Sequence, residues 1–212
     1  MKNLVFAIDV DDVLRDSLHT MIKLYNEEFN DNKKYEDIVS YDVEEMFPRI
    51  FAETGITARE WFFDCHGADI FVRSKPLKGA RKAIETLKRY GTVVIVTRQR
   101  TCENKIDTIE WLCKNKMICD DICFLKDKQL FHCDYLIDDY VNNFINANAK
   151  NAVLINAPHN NKGTDANGND KSILEILNSS ATIMTAQRCN SLESFVSDFL
   201  EELNNKEDNY GN

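Results

Sequence analysis

Short apolar runs alternate along the chain with stretches whose apolar residues recur every three or four positions. Leu4–Ile8 (LVFAI) and residues 92–96 (TVVIV) carry no polar interruption, the pattern of strands buried on both faces. Residues 121–125, 135–137, 153–155 and 182–184 are four further strand candidates. Between them, 79–90, 103–115, 140–147 and 191–203 have helical spacing. Pro76 and Gly79 punctuate the start of the first of these, and Asn190-Ser191 followed by Glu193 offers a cap to the last. Strands alternating with helices of this length predict right-handed crossovers and a parallel sheet covered on both faces.

One region breaks the rhythm. Residues 16–75 hold no convincing buried strand but several helical segments, including 19–29, rich in Leu, Tyr and Phe, and the aromatic run Trp61-Phe62-Phe63. The expected architecture is therefore α/β: a Rossmann-like parallel-sheet core with a small helical cap inserted after the first strand. Residues 1–15 and 76–204 would form the core, 16–75 the cap and 205–212 a flexible tail. Residues 160–170 (NNKGTDANGND) read as a loop.

Composition narrows the function classes. With 212 residues, 43% hydrophobic and 29% charged, the chain is long enough to bury roughly 70% of its unfolded surface without disulfide or metal staples. A net charge of −9 argues against polymeric nucleic acid and anionic membranes as partners, but not against a small anion held at a local metal and a lysine. The seven cysteines are odd in number, and Cys119-x3-Cys123 lacks zinc-site spacing, so buried free thiols in a reducing cytoplasm are expected. The first apolar run is too short for a signal-peptide core, and no stretch reaches about 20 apolar residues.

Open parallel sheets bind ligands at the carboxyl ends of their strands, so the residues standing there carry the functional argument. They are Asp9, Asp11 and Asp12 after the first strand and Thr97 after the second. Lys126-Asp127-Lys128 follows the third, and Asp138-Asp139 the fourth. Singly, each has an ordinary explanation as a helix cap, a turn residue or a solvated lysine. Together, two acidic clusters, a hydroxyl and a lysine on one rim make a site for Mg²⁺ and phosphate, carboxylates holding the hard cation and polar donors the phosphate oxygens.

The order Asp-x-Asp, Thr, Lys, Asp-Asp resembles the four motifs of the haloacid-dehalogenase-like hydrolase superfamily, and within it the 5′(3′)-deoxyribonucleotidases. The matching pieces are IDVDDVLRD (8–16), PLKGA (76–80), VIVT (94–97) and LKDKQLFHCDYLIDD (125–139), with VLINAPHN (153–160) similar to the segment beyond the last motif. The resemblance implies that Asp9 attacks phosphorus and that Asp11 protonates the leaving alkoxide and then deprotonates water. Thr97 would bond a phosphoryl oxygen. Lys128, ten residues before Asp138, would take the lysine role rather than Lys126. Asp9, Asp139 and the Asp11 carbonyl would bind Mg²⁺, with Asp138 in or beside the shell.

Some positions depart from the family pattern. Asp12 stands where a glycine is frequent and is read as a turn residue. Arg98, where the nucleotidases often carry a small residue, either contacts phosphate or points to solvent. Asp16 either orients Arg15 or caps the next helix, capping being preferred. Trp61, Phe62, Phe63 and Phe71 either stack on a nucleobase, as the resemblance implies, or serve only the cap's core; consecutive helical residues cannot all face one way, so at least one packs that core. His66 and His132 are given no catalytic part.

The implied activity is Mg²⁺-dependent hydrolysis of 5′-(deoxy)nucleoside monophosphates through an aspartyl-phosphate. Another small phosphate ester such as a sugar phosphate, and a non-catalytic phosphate-binding protein on this fold, are the alternatives; a homodimer is left open. A response-regulator receiver also clusters Asp, Thr and Lys. Its phosphorylated Asp follows a middle strand, however, and it has no room for the 16–75 insert.

Overall fold

The computed structural model describes residues 4–210. Along the chain run β1 (Leu4–Ile8), α1 (Ser17–Phe29), α2 (Val43–Met46), α3 (Pro48–Thr54), α4 (Ala58–Glu60), α5 (Gly67–Phe71) and α6 (Ala80–Leu87). There follow β2 (Gly91–Thr97), α7 (Cys102–Lys114), β3 (Asp121–Phe124), β4 (Cys133–Asp138), β5 (Ala149–Ile155), α8 (Lys171–Ser179), β6 (Thr185–Cys189) and α9 (Leu192–Tyr210). The strands form one six-stranded parallel sheet in the order β3-β2-β1-β4-β5-β6.

Strand side chains alternate between two buried layers, as the two-residue strand period requires. Phe6, Ile8, Val93, Ile95, Ile137 and Val153 pack with α6, α7 and α9, while Ala7, Val94, Val96, Leu136 and Leu154 pack on the other face with α8. Each large apolar side chain buried in this way contributes about 1.5–3 kcal/mol relative to exposure. The chain steps outward from β1 through β2 to β3, then returns to lay β4 on the other side of β1, so a crevice opens beyond the ends of β1 and β4. Ile8 pairs with both Ile95 and Ile137, and the Asp9 N–H extends the ladder to the Ile137 carbonyl at 3.0 Å.

The residues between β1 and β2 build a separate apolar cluster that includes Tyr25, Phe29, Phe47, Ile50, Trp61 and Phe62. We propose 16–75 as the bounds of this cap. Its two connections to the sheet run antiparallel side by side: Asp16 N–H donates to the Lys75 carbonyl (2.9 Å), and Leu77 N–H to the Leu14 carbonyl (2.8 Å).

Several expectations are corrected. Residues 140–147 do not form an α-helix; a 3₁₀ turn over Val141–Phe144 buries Val141 and Phe144, spaced by three. Its asparagines, Asn142, Asn143 and Asn146, compete for backbone hydrogen bonds and disfavour a helix interior. The last strand is Thr185–Cys189, not 182–184. As an edge strand paired only with β5, it is half solvated and carries the polar sequence TAQRC; the apolar Ile183 is buried in the preceding turn, and Met184 is exposed. Asp16 makes no side-chain cap to α1; its carboxylate meets His19 Nδ1 at 2.6 Å, and Asp12 Oδ1 accepts the Leu18 N–H instead, at 2.9 Å. Free cysteines are present, but Cys65, Cys102 and Cys113 are exposed. α9 continues as helix to Tyr210, through positions read as tail.

Candidate active site

Asp9 leaves the end of a strand buried on both faces, which fixes its backbone at the crevice. Lys128, in a 3₁₀ turn after β3, lies with Nζ 2.9 Å from Asp9 Oδ1 and 2.5 Å from Asp138 Oδ2. The contact to Asp138 is a hydrogen bond. That to Asp9 is close enough for an ion pair but lacks hydrogen-bond alignment, leaving Oδ1 buried without a hydrogen-bond donor. Lys126 is exposed, so the structure brings Lys128 and not Lys126 to the cluster.

Asp138 is fully buried and held on both oxygens. Oδ1 accepts the Tyr140 N–H (2.9 Å), and the Asn143 amide lies 3.0 Å from each oxygen. Asp139 faces His159, whose Nε2 lies 3.1 Å from Oδ2. Thr97, the last residue of β2, is buried, its carbonyl accepting the Leu125 N–H at 2.9 Å.

The charges explain the titration behaviour. Burial pushes the Asp9 carboxyl up to about 7, against the pull of the Lys128 ammonium and with the push of Asp138, Asp139 and Asp11. Burial also raises Asp139, opposed by His159, and raises Asp12. For Lys128 burial alone would lower the value, but the Asp138 and Asp9 charges outweigh it and the net shift is upward. His159 is likewise raised by Asp139 against the effect of burial.

Oxygens of Asp9, Asp138 and Asp139 lie within 4.8 Å of one another, all three residues buried. Three carboxylates crowd together against one lysine, with His159 beside Asp139. That crowding, the hard oxygen donors and Asp9 Oδ1, which accepts no hydrogen bond, fit a divalent cation such as Mg²⁺. Because both Asp138 oxygens are already engaged, Asp9 and Asp139 are the better-placed ligands.

Asp11 lines a cavity between the core and the insert. Its Oδ1 receives Arg15 Nε at 3.0 Å, and its Oδ2 receives Gln99 Nε2 at 3.2 Å. Asp12 occupies a left-handed conformation (φ 55°), which accounts for the glycine frequent at this position in the family resembled.

The cavity measures about 590 Å³. Core residues Asp11, Arg98, Gln99 and His159 line one side, and Phe47, Phe63, Phe71 and Tyr41 of the insert line the other. Tyr41 stacks on Tyr140 with ring centres 3.7 Å apart, and Asn104 Nδ2 bonds the Phe63 carbonyl at 3.0 Å; both ties span insert and core. Gly67 also lies close to Asn104: a Cβ there would approach Asn104 Oδ1 to 2.8 Å, so the Asn104 amide would have to shift.

The aromatic run divides. Residues 61–65 form a π-helical turn, with His66 N–H bonded to the Trp61 carbonyl at 3.1 Å. Phe63 reaches the cavity. Trp61 and Phe62 do not: they pack against Phe29, Phe47 and each other, so the expected substrate contact is corrected at these two positions. Arg98 is exposed and lines the cavity.

Sequence reasoning missed Gln99, Asn143 and His159, and did not connect Arg15 to Asp11. His159 lies in the 3₁₀ turn Pro158–Asn160 that follows β5, so extending the strand-end rule to the loop beyond β5 would have found it. Arg15 and Asn143 leave no such trace: neither stands at a strand end, and Arg15 is anchored by Phe71 and Thr108, which are distant in sequence.

No curated protein sequence matches the chain. Among solved structures, the L-2-haloacid dehalogenase from Xanthobacter autotrophicus with chloropropionic acid covalently bound superposes with a TM-score of 0.57 at 8% identity, over 92% of this chain and 97% of that one. A haloacid dehalogenase-like hydrolase from Streptococcus pneumoniae gives 0.56 at 12%, over 93% and 98%. A HAD family hydrolase from Deinococcus radiodurans, with bound phosphate and sodium, gives 0.53 at 10%, over 88% and 91%. At such identities the likeness is one of fold. In sequence, residues 3–173 match the family described as 5′ nucleotidase, deoxy (Pyrimidine), cytosolic type C protein. Most of the chain is covered by that match, and it joins a parallel α/β sheet of the haloacid-dehalogenase-like kind to the rim of acids, threonine and lysine: the chain belongs to this nucleotidase family.

Proposed function

We propose that the protein hydrolyses 5′-(deoxy)nucleoside monophosphates with Mg²⁺, through an aspartyl-phosphate on Asp9. Family and fold make it a phosphatase of the haloacid-dehalogenase-like type; the substrate, the metal and the covalent step are our reading. One observation carries it: a buried Asp9 just past β1, 2.9 Å from Lys128 and two residues from Asp11, which lines a cavity together with aromatic residues of the insert.

An Asp9 carboxylate oxygen attacks phosphorus while the bond from phosphorus to the ester oxygen breaks. Asp11 gives its proton to the departing alkoxide. Water then attacks the acyl phosphate, Asp11 takes a proton back, and phosphate and the Asp9 carboxylate are released. Lys128 and Thr97 offset phosphoryl charge throughout, and Asp138 keeps the Lys128 ammonium in place. Mg²⁺ held by Asp9 and Asp139 would neutralise the two anions that must meet. The nucleoside would fill the cavity, Phe63 and Phe71 offering faces to a base. The family description and the absence of a long apolar helix among the described residues accord with a cytosolic setting.

A panel of nucleoside monophosphates and sugar phosphates, assayed with Mg²⁺ for released phosphate, tests this. Preference for nucleotides supports it. Preference for sugar phosphates replaces the substrate, and nucleotide binding without any phosphate release would mean a binding protein.

A further inference from the structure

Arg15 is among the largest fully buried side chains, and none of the steps above uses it. A buried guanidinium is costly unless its charge and donors are matched. Here the matches come from three parts of the molecule. Nε and Nη2 meet the same atom, Asp11 Oδ1, at 3.0 and 2.9 Å. Nη1 donates to the Phe71 carbonyl of α5 in the insert, at 2.8 Å. Nη2 reaches Thr108 Oγ1 of α7 at 3.4 Å. The guanidinium carbon also lies 4.9 Å from the Phe71 ring centre and 5.3 Å from that of Trp111. Trp111 is tied in turn to the returning connection of the insert, its indole N–H donating to the Ser74 carbonyl at 2.7 Å. The backbone of Arg15 lies in the outgoing connection, bridged to Pro76.

We infer that Arg15 is a positioning residue: it aims the Asp11 carboxylate and makes that aim depend on the seating of the insert. This rests on the reading of Asp11 as the acid–base group. The charged, paired contact occupies Oδ1, while Oδ2 meets only the neutral Gln99 amide at 3.2 Å, which makes Oδ2 the oxygen that carries the transferred proton. A planar guanidinium cannot follow Phe71 and keep its paired contact with Oδ1, so displacing α5 turns Asp11 away from the leaving group. Substrate that fills the cavity and presses the insert onto the core therefore also sets the proton donor.

The test uses two esters of different need. A nucleoside 5′-monophosphate leaves as an alkoxide and requires a proton; p-nitrophenyl phosphate leaves as a stable phenolate and does not. Single-turnover release of the alcohol is measured for wild type, Arg15→Lys, Arg15→Met and Thr108→Val, with thermal melts to establish folding. Both Arg15 variants are expected to slow the nucleotide step by roughly 10²-fold and the p-nitrophenyl step by less than tenfold. Equal losses on the two esters, or none, would overturn the inference and leave Arg15 as packing. Should neither Arg15 variant fold, Thr108→Val carries the test: a smaller loss with the same asymmetry supports the inference, and an equal or absent loss overturns it. Wild type that cleaved neither ester would remove the phosphatase reading as well, an outcome distinct from equal losses in an active enzyme.

Discussion

Asp9 is a carboxyl held in a place that disfavours its charge, and this has a measurable sign. Its pKa, raised by burial to about 7, means that the folded protein without metal holds the proton more tightly than the unfolded chain does. That contribution to stability is present at acid pH and is lost as pH rises from the ordinary carboxyl range toward 7. Added Mg²⁺ competes with the proton, so the rise in Tm caused by Mg²⁺ should be larger at pH 7.5 than at pH 5; calorimetry at the two pH values checks this, and an equal rise at both would contradict it. Activity should vanish with EDTA and return with Mg²⁺. At the lysines, Lys128→Ala should lose far more turnover than Lys126→Ala, because only Lys128 touches Asp9 and Asp138. The reverse ranking in a steady-state assay would break the assignment. Asp12 offers a stability test. Asp12→Ala loses a helix cap worth about 1 kcal/mol and keeps the left-handed strain. Asp12→Gly also loses the cap but recovers about 1 kcal/mol of strain, so urea melts should rank glycine above alanine.

Among the elements, the π-helical turn decides which aromatic side chains face the cavity. Phe62 is wholly buried against Phe47 and Trp61, so Phe62→Ala should cost roughly 3–5 kcal/mol of stability in denaturant melts. Phe63→Ala should instead raise KM for nucleotides with little change in melting. If Phe63→Ala melts like Phe62→Ala and leaves KM alone, the division of the turn is wrong. The central strands were legible in the sequence because burial on both faces demands unbroken apolar runs, as in LVFAI and TVVIV. β6 was not, because an edge strand needs no such run and the nearby apolar Ile183 serves a turn. The 140–147 segment misled because apolar spacing by three suits a 3₁₀ turn as well as a helix. The rim of Asp9, Asp11, Thr97, Lys128 and Asp138-Asp139 was readable, since each stands at a strand end or at a fixed distance from one. The partners of Asp11 were hidden: Arg15 is four residues away, but what anchors it, Phe71 and Thr108, is brought near only by folding.

For the whole molecule, the sheet order creates the crevice and the insert encloses it. The two antiparallel connections at Arg15 and Pro76, the Tyr41–Tyr140 stack and the Asn104–Phe63 bond set the insert over the acids. On the proposed reading the insert would recognise the substrate and the strand ends would perform the chemistry, and the central claim concerns the chemistry alone. The most direct measurement is steady-state turnover of Asp9→Asn on a nucleoside 5′-monophosphate with saturating Mg²⁺. The substitution keeps the shape of the side chain and removes the nucleophile's charge. Turnover at least about 10³-fold below wild type, a loss near 4 kcal/mol of transition-state stabilisation, is the predicted result; turnover within about tenfold of wild type would contradict the aspartyl-phosphate account.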